Sequence, residues 1–155
     1  MNKEEWRVPV YQRSSDPEPI YFPNYRVNGY GQIMSLRKNK ILKPVLVKAH
    51  GYYEVAFKND FASKDLVSNH IKCLIHKIVA HTFIPNEDFR KYCQVNHIDR
   101  NRLNNDVDNL EWVTPSENVR KRYSVKKEND VYYGQEYYTE IKNQLNIFDE
   151  LNEQE

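Results

Sequence analysis

Residues 95–118 read VNHIDRNRLNNDVDNLEWVTPSEN, and this stretch decides the fold. Asn101, Asn104, Asn105, Asp106 and Asp108 crowd its middle. Asn and Asp side chains bond their own backbone and tolerate left-handed conformations, so 98–108 is expected to be a tight loop. Cys93-Gln94-Val95 reads as a short strand before it, and Leu110 to Val113 as a strand after it. Thr114-Pro115-Ser116-Glu117 then carries three agreeing helix-start signals. Thr114 is placed as N-cap, Pro115 takes the first helical position, and Glu117 closes a capping box. The helix is expected over 115–127, rich in Arg and Lys. Strand, loop, strand, helix is a ββα order.

Upstream, residues 75–83 (IHKIVAHTF) change period. Ile75, Ile78, Val79 and Phe83 fall at helical spacing and Pro85 stops the run, which predicts a short buried helix. The first third alternates instead. Trp6 to Tyr11 reads as a strand before the proline-broken SSDPEP loop. Tyr25–Val27 and Ile33–Leu36 flank Asn28-Gly29-Tyr30-Gly31 as a hairpin, and Ile41–Val47 and Tyr52–Phe57 form a second pair around His50-Gly51. Tyr52 and Tyr53 point to opposite faces, so one of them is core, and Trp112 is expected in the core. Downstream, Tyr138, Ile141, Leu145 and Phe148 make one apolar stripe on an acidic helix.

The bulk composition fits a thin fold. The 155 residues are 39% hydrophobic, and 12 tyrosines carry much of the aromatic content, covering a thin core while offering hydroxyls to the surface. The net charge of +1 hides a split: residues 129–155 hold one Lys or Arg against seven Asp or Glu. Residues 1–128 therefore hold 22 of the 23 basic and 15 of the 22 acidic residues, so the body is +7 and the tail −6. A basic body suits a polyanionic partner, and an ordinary solvated surface suits the charge equally well. Cys73 and Cys93 form no C-x-x-C pair, which disfavours a zinc knuckle or a disulfide framework. MNKEEWRVPV at the start has no apolar signal run, and no stretch reaches the length of a membrane span, so no membrane partner and a cytoplasmic location are expected.

The residue types in 95–118 suit phosphodiester hydrolysis. Water must lose a proton, the pentavalent phosphorus needs its charge neutralised, and the leaving 3′ oxygen needs a Lewis acid. A neutral imidazole supplies the first, and a hard cation on oxygen ligands supplies the other two. His97 falls at the end of the first strand beside Asn96, Asn109 opens the second strand, and Asn118 lies in the first turn of the capped helix. In a ββα hairpin these places converge. His97 is then the base, Asn109 fixes its tautomer through the other ring nitrogen, and Asn96 and Asn118 offer amide oxygens to a metal.

The segment resembles the HNH nucleases with a ββα-metal (His-Me finger) motif, in particular the phage and intron homing endonucleases. The matching residues are Asn96-His97, Asn104-Asn105, Asn109-Leu110-Glu111-Trp112-Val113-Thr114 and Ser116-Glu117-Asn118. Ile75-His76-Lys77-Ile78-Val79-Ala80 and Phe83-Ile84-Pro85 extend the likeness upstream. The Tyr25–Leu36 hairpin, with Asn39-Lys40-Ile41-Leu42-Lys43, is similar to a small DNA-contacting module often fused ahead of such nucleases. The resemblance implies His97 as general base, Asn109 as its orienter, and Asn96 with Asn118 as ligands of one divalent ion, Mg²⁺ or Mn²⁺. It departs from the family's pattern in three ways. Asn96 stands where many relatives carry Asp, Arg100 replaces a common glycine, and no helix-turn-helix follows.

These readings assemble into an α+β protein. A small N-terminal antiparallel β module (1–66) is followed by a ββα-metal HNH nuclease domain (67–128) and an acidic amphipathic helical tail (129–155). The expected function is metal-dependent cleavage or nicking of double-stranded DNA, with a catalytically inactive DNA-binding regulator on the same scaffold as the alternative. Expected DNA contacts are Arg37, Lys38, Lys40 and Lys43 at the strand tips, Arg100 and Arg102 in the loop, and Arg120 and Lys121 on the helix. His76 either faces the phosphate or is a buried histidine bonded to a carbonyl. Asp99, Asn104 and Asn105 are expected to shape the loop, and the tail helix is open to self-association or a protein partner.

Overall fold

Small hairpins, each set by its turn, build the N-terminal half of this computed structural model, which describes residues 2–13, 18–58 and 69–123. Strands β1 (Val10–Tyr11) and β2 (Ile20–Tyr21) pair antiparallel. Strands β3 (Tyr25–Val27) and β4 (Ile33–Ser35) form the expected hairpin, with Tyr25 opposite Ser35. Its turn is held by the Asn28 side chain, whose Oδ1 accepts from the backbone N–H groups of Tyr30 and Gln32 at 3.2 and 3.0 Å. Gly31 takes a φ of +79°, a conformation open to glycine without steric cost.

The strand expected over 41–47 is two strands, and Pro44 is the reason. Its ring nitrogen carries no N–H for a ladder. Strand β5 (Lys40–Ile41) completes the first three-stranded sheet beside β4. Strand β6 (Val45–Val47) starts a second sheet with β7 (Tyr52–Lys58), which then pairs with β8 (His70–Leu74). The strand expected from Trp6 to Tyr11 is shorter too: Arg7 makes one bridge to Val27, and pairing resumes only at Val10.

Helix α1 (Ile75–Phe83) follows β8 without a loop, and extended backbone at Ile84, just ahead of Pro85, ends it. Ile75, Ile78, Val79 and Phe83 are all buried on it, as their spacing predicts. Each such side chain contributes roughly 1.5–3 kcal/mol by leaving water. Thr82 locks the helix to β1, because its Oγ1 accepts from Val10 N–H at 3.1 Å and donates to the Ile78 carbonyl at 2.7 Å.

One cluster of buried residues runs from Tyr11, Phe22 and Val27 through Phe57 to Ile78, Val107 and Leu110. Described residues within 11–57 and within 73–110 contribute to this one cluster. Tyr53 is the core tyrosine of its pair, 3% exposed. Trp112 is only half-buried and donates its indole N–H to the Ile84 carbonyl at 3.1 Å, so it caps the core edge instead of filling the interior.

The last unit is strand β9 (Gln94–His97), strand β10 (Leu110–Val113) and helix α2 (Pro115–Tyr123), the ββα order. The capping box forms: Glu117 N–H donates to Thr114 Oγ1 at 3.2 Å, and Thr114 N–H donates to Glu117 Oε2 at 2.8 Å. The expected end of this helix at 127 and the acidic helical tail 129–155 lie outside the described residues. Among the described residues no helix is long and apolar enough to cross a membrane.

Candidate active site

The β9–β10 ribbon sets the geometry. Its register places Asn96 opposite Glu111 and His97 opposite Leu110. A cleft of about 360 Å³ opens between the ribbon and α2, and Asn96, His97 and Asn118 all line it. Three of the four expected catalytic and metal-holding residues therefore meet at one place. Asn96 donates its amide N–H to Glu111 Oε1 at 2.7 Å, and Asn118 donates to Gln94 Oε1 at 2.6 Å. These bonds orient both amides through their Nδ2 groups, so that Oδ1 of each could coordinate a metal.

Asn109, the fourth, is placed differently from expectation. Its Oδ1 accepts from Asp99 N–H at 2.9 Å, and its Nδ2 donates to Asp99 Oδ1 and to the Asn104 carbonyl, both at 2.9 Å. Asn109 thus ties the two ends of the loop together. It sits in a 3₁₀ turn (Val107–Asn109) rather than opening β10. The ring contact expected of it is made by Asn105, whose Oδ1 lies 3.4 Å from His97 Nε2. Asn105 is oriented by its own amide, which donates to the Leu103 carbonyl at 3.1 Å. With an oxygen facing Nε2, that nitrogen carries the proton, and Nδ1 is left with a lone pair.

Asp99 and Asn104 shape the loop as expected. Asp99 Oδ1 accepts from Asn101 N–H at 2.8 Å, and Asp99 Oδ2 accepts from Asn104 Nδ2 at 2.7 Å. The loop is also held from the N-terminal hairpin. Val107 N–H donates to the Gly29 carbonyl at 2.8 Å, and Lys3 pairs with Asp106 and Asp108 at 2.8 and 2.6 Å. A Cβ on Gly31 would lie 3.1 Å from Asn105 Cβ, so the hairpin turn packs directly on the residue that faces His97.

His97 is 5% exposed. Burial holds its imidazole below the ordinary histidine range and nearby Arg102 pushes the same way, against the Asn105 contact and Asp99. The neutral ring needed for a base is thereby favoured at neutral pH. His76 sits behind it, edge-on at 5.1 Å between ring centroids and 4% exposed, so it does not face the cleft. Its Nδ1 has no hydrogen-bond partner among the described residues, so the carbonyl bond expected at a buried histidine is not made there. Burial, with the charges of His97, Lys77 and His50, drives its pKa far down. Tyr52 packs against both histidines, at 4.6 Å from His76 and 5.9 Å from His97, and the Arg102 guanidinium lies over its ring at 5.2 Å.

Of the expected DNA contacts, Arg100, Arg102 and Lys121 line the cleft. Arg37, Lys38, Lys40, Lys43 and Arg120 are exposed outside its lining. Arg100 has a φ of +67°, which accounts for the glycine-like demand at that loop position. The residues that sequence reasoning missed are Asn105, Tyr52 and Glu111. Glu111 was legible: a ribbon that pairs 97 with 110 must pair 96 with 111.

The donor set suits a hard divalent ion, since Asn96, Asn118 and Glu111 all present oxygen. It is sparse, because among the described residues no three His, Cys, Asp or Glu side chains group as metal ligands. Such an ion would keep several positions for water and phosphate, as Mg²⁺ does in sites with one or two protein ligands.

A two-stranded ribbon, an Asn-rich loop and a capped helix around one histidine define an HNH-type nuclease fold. Residues 73–120 match the family described as HNH endonuclease, and in this segment the chain is similar to that family. The uncharacterized HNH endonuclease L245 of Acanthamoeba polyphaga mimivirus is 38% identical over 96 residues, 62% of this chain and 26% of L245. The H-N-H endonuclease F-TflII of Escherichia phage T5 is 30% identical over 93 residues, 60% of this chain and 44% of that protein. The DNA endonuclease I-HmuI of Bacillus phage SP01 is 30% identical over 104 residues, 67% of this chain and 54% of I-HmuI. A solved structure titled for DNA binding and cleavage by the HNH homing endonuclease I-HmuI superposes with a TM-score of 0.58 at 24% identity, over 90% of this chain and 68% of that one. The chain thus spans about a quarter to a half of the curated relatives it matches.

Proposed function

We propose that the chain is a metal-dependent endonuclease acting on double-stranded DNA, of the homing-endonuclease type. The observation that carries this reading is a buried His97, its pKa pushed down by burial, in one cleft with the amides of Asn96 and Asn118. His97 Nδ1 takes the proton of the attacking water, and Asn105 holds the ring by its Nε2 side. Asn96 and Asn118 would hold Mg²⁺ or Mn²⁺, which would supply positive charge to the pentavalent phosphorus and to the leaving 3′ oxygen. Arg100, Arg102 and Lys121 bind the phosphates entering the cleft. Arg37, Lys38, Lys40, Lys43 and Arg120 are assigned to backbone phosphates farther along the duplex. The products are 5′-phosphate and 3′-hydroxyl ends.

Incubation of the pure protein with supercoiled plasmid, with and without Mg²⁺, tests this directly. Relaxed or linear product should appear only with the metal. His97→Ala should lower its rate by roughly 10²–10⁴-fold while duplex affinity holds. Equal cleavage by mutant and wild type would remove His97 from the mechanism. DNA binding with no cleavage under any divalent ion would leave a regulator on a nuclease scaffold.

A further inference from the structure

Glu111 is the one carboxylate that lines the cleft among the described residues, and the cap of α2 uses Glu117 instead. It stands across the ribbon from Asn96 and accepts that residue's amide N–H at 2.7 Å. The same oxygen, Oε1, takes an ion pair from Lys121, one helical turn beyond Asn118 on α2. The carboxylate is about one-third exposed, so it is solvated and able to turn. Without it, the protein offers a cation two neutral amides under a rim of Arg100, Arg102 and Lys121. Three positive charges around two uncharged donors would repel a divalent ion, whereas a hard cation is held best by anionic oxygen.

We propose that Glu111 is the anionic ligand of the metal site, held by Lys121 until the cation arrives. This rests on the metal-dependent nuclease reading above. When the ion binds, the Glu111 carboxylate leaves the Lys121 ammonium for the ion, and Lys121 is released to a phosphate oxygen. One cation–anion contact is exchanged for two, so no charge is stranded in the cleft. The direct register of 96 and 111 also means that a carboxylate at either position would present its charge to the same space.

Titration of the full-length protein with Mn²⁺, followed by loss of the free-ion EPR signal, reads the site without any cleavage assay. Glu111→Gln should weaken Mn²⁺ binding by about tenfold or more, and Asn118→Ala should weaken it as well. The double variant Asn96→Asp/Glu111→Gln should recover most of the loss, because it restores one negative charge to the ribbon. A merely structural Glu111 would not be rescued from the opposite strand. Lys121→Met should tighten Mn²⁺ binding several-fold by removing the competitor, and this arm stands if Glu111→Gln fails to fold. Wild-type affinity in Glu111→Gln, with weakened binding in Asn118→Ala, overturns the Glu111 assignment and leaves the nuclease reading intact. Wild-type affinity in Lys121→Met likewise overturns the hand-over. Absence of bound Mn²⁺ in the wild type at millimolar concentration overturns both readings.

Discussion

Asn105 Oδ1 faces His97 Nε2 at 3.4 Å across eight residues of chain, and the amide's other end is anchored on the Leu103 carbonyl. That relationship sets which ring nitrogen holds the proton. Asn105→Ala should therefore lower kcat for plasmid nicking by roughly 10–100-fold, the usual cost of losing a group that orients a catalytic histidine, with KM for DNA little changed. Asn105→Asp puts a negative charge at the same place, favours the imidazolium, and should move the acid limb of the pH–rate profile upward. Coincident profiles for wild type and Asn105→Asp would show that the contact does not orient the base.

The acid limb itself has a predicted position. In the proposed mechanism His97 acts in its neutral form, and burial lowers its folded pKa below the ordinary histidine value. The wild-type rate should thus hold through pH 6.5 and fall only below it. A limb centred above 6.5 in kcat would mean that the ring is less buried in the working complex than in the free protein.

Stability should respond to acid separately from activity. His81 packs edge-on against Trp112 at 4.8 Å, and burial with Lys77 lowers its pKa to about 4, although a hydrogen bond to the Gln12 backbone resists this. His76 and His97 are lowered too, mainly by burial. The unfolded chain binds more protons than the folded one between the folded values and 6.5, so stability is full above 6.5 and is lost as pH falls. For His81 alone the loss at the acid end is up to about 3 kcal/mol. The unfolding midpoint should drop steadily from pH 7 to pH 5, and His81→Gln should flatten that slope. Equal slopes would show that His81 does not stay neutral in the fold.

Arg100 carries a φ of +67° at the cleft edge. A left-handed conformation costs a non-glycine residue about 1 kcal/mol, and glycine's freedom in the unfolded chain offsets part of that. Arg100→Gly should leave the unfolding midpoint within a few degrees of wild type while weakening duplex binding and making its salt dependence shallower by about one ion. An unchanged salt slope would remove Arg100 from the phosphate contacts.

How much of this was legible follows from the range of the interactions. The capping box of Thr114 and Glu117 is local, and its three signals specify the start of α2 without reference to the rest of the molecule. The apolar face of α1 and the Asn/Asp loop are equally local. Ile41–Val47 reads as one strand despite Pro44, because the apolar run on both sides outweighs one missing donor. Strand β8 was not foreseen because only Ile71 and Cys73 alternate in it, and its place comes from pairing with β7. The exchange of Asn109 for Asn105 has the same origin. Both are asparagines of one loop, and which of them reaches the ring depends on the loop's path, fixed by Gly29 and Lys3 far away in sequence. The site's position was therefore readable from order and spacing, while its wiring was not.

The hydrogen bond from Val107 N–H to the Gly29 carbonyl has a consequence for transplantation. The matched 73–120 segment holds the histidine and both amides, so it resembles a cassette that could be spliced onto any DNA-reading partner. Cut out alone, it would lose the carbonyl that sets its loop, the Lys3 ammonium on Asp106 and Asp108, and the β7 partner of its first strand. The apolar face of Ile75, Ile78 and Val79 would be left facing water. A chimera made at those borders should aggregate, and one made ahead of Lys3 should keep its catalytic loop. The unit of exchange between proteins of this kind is thus larger than the motif by which it is recognised.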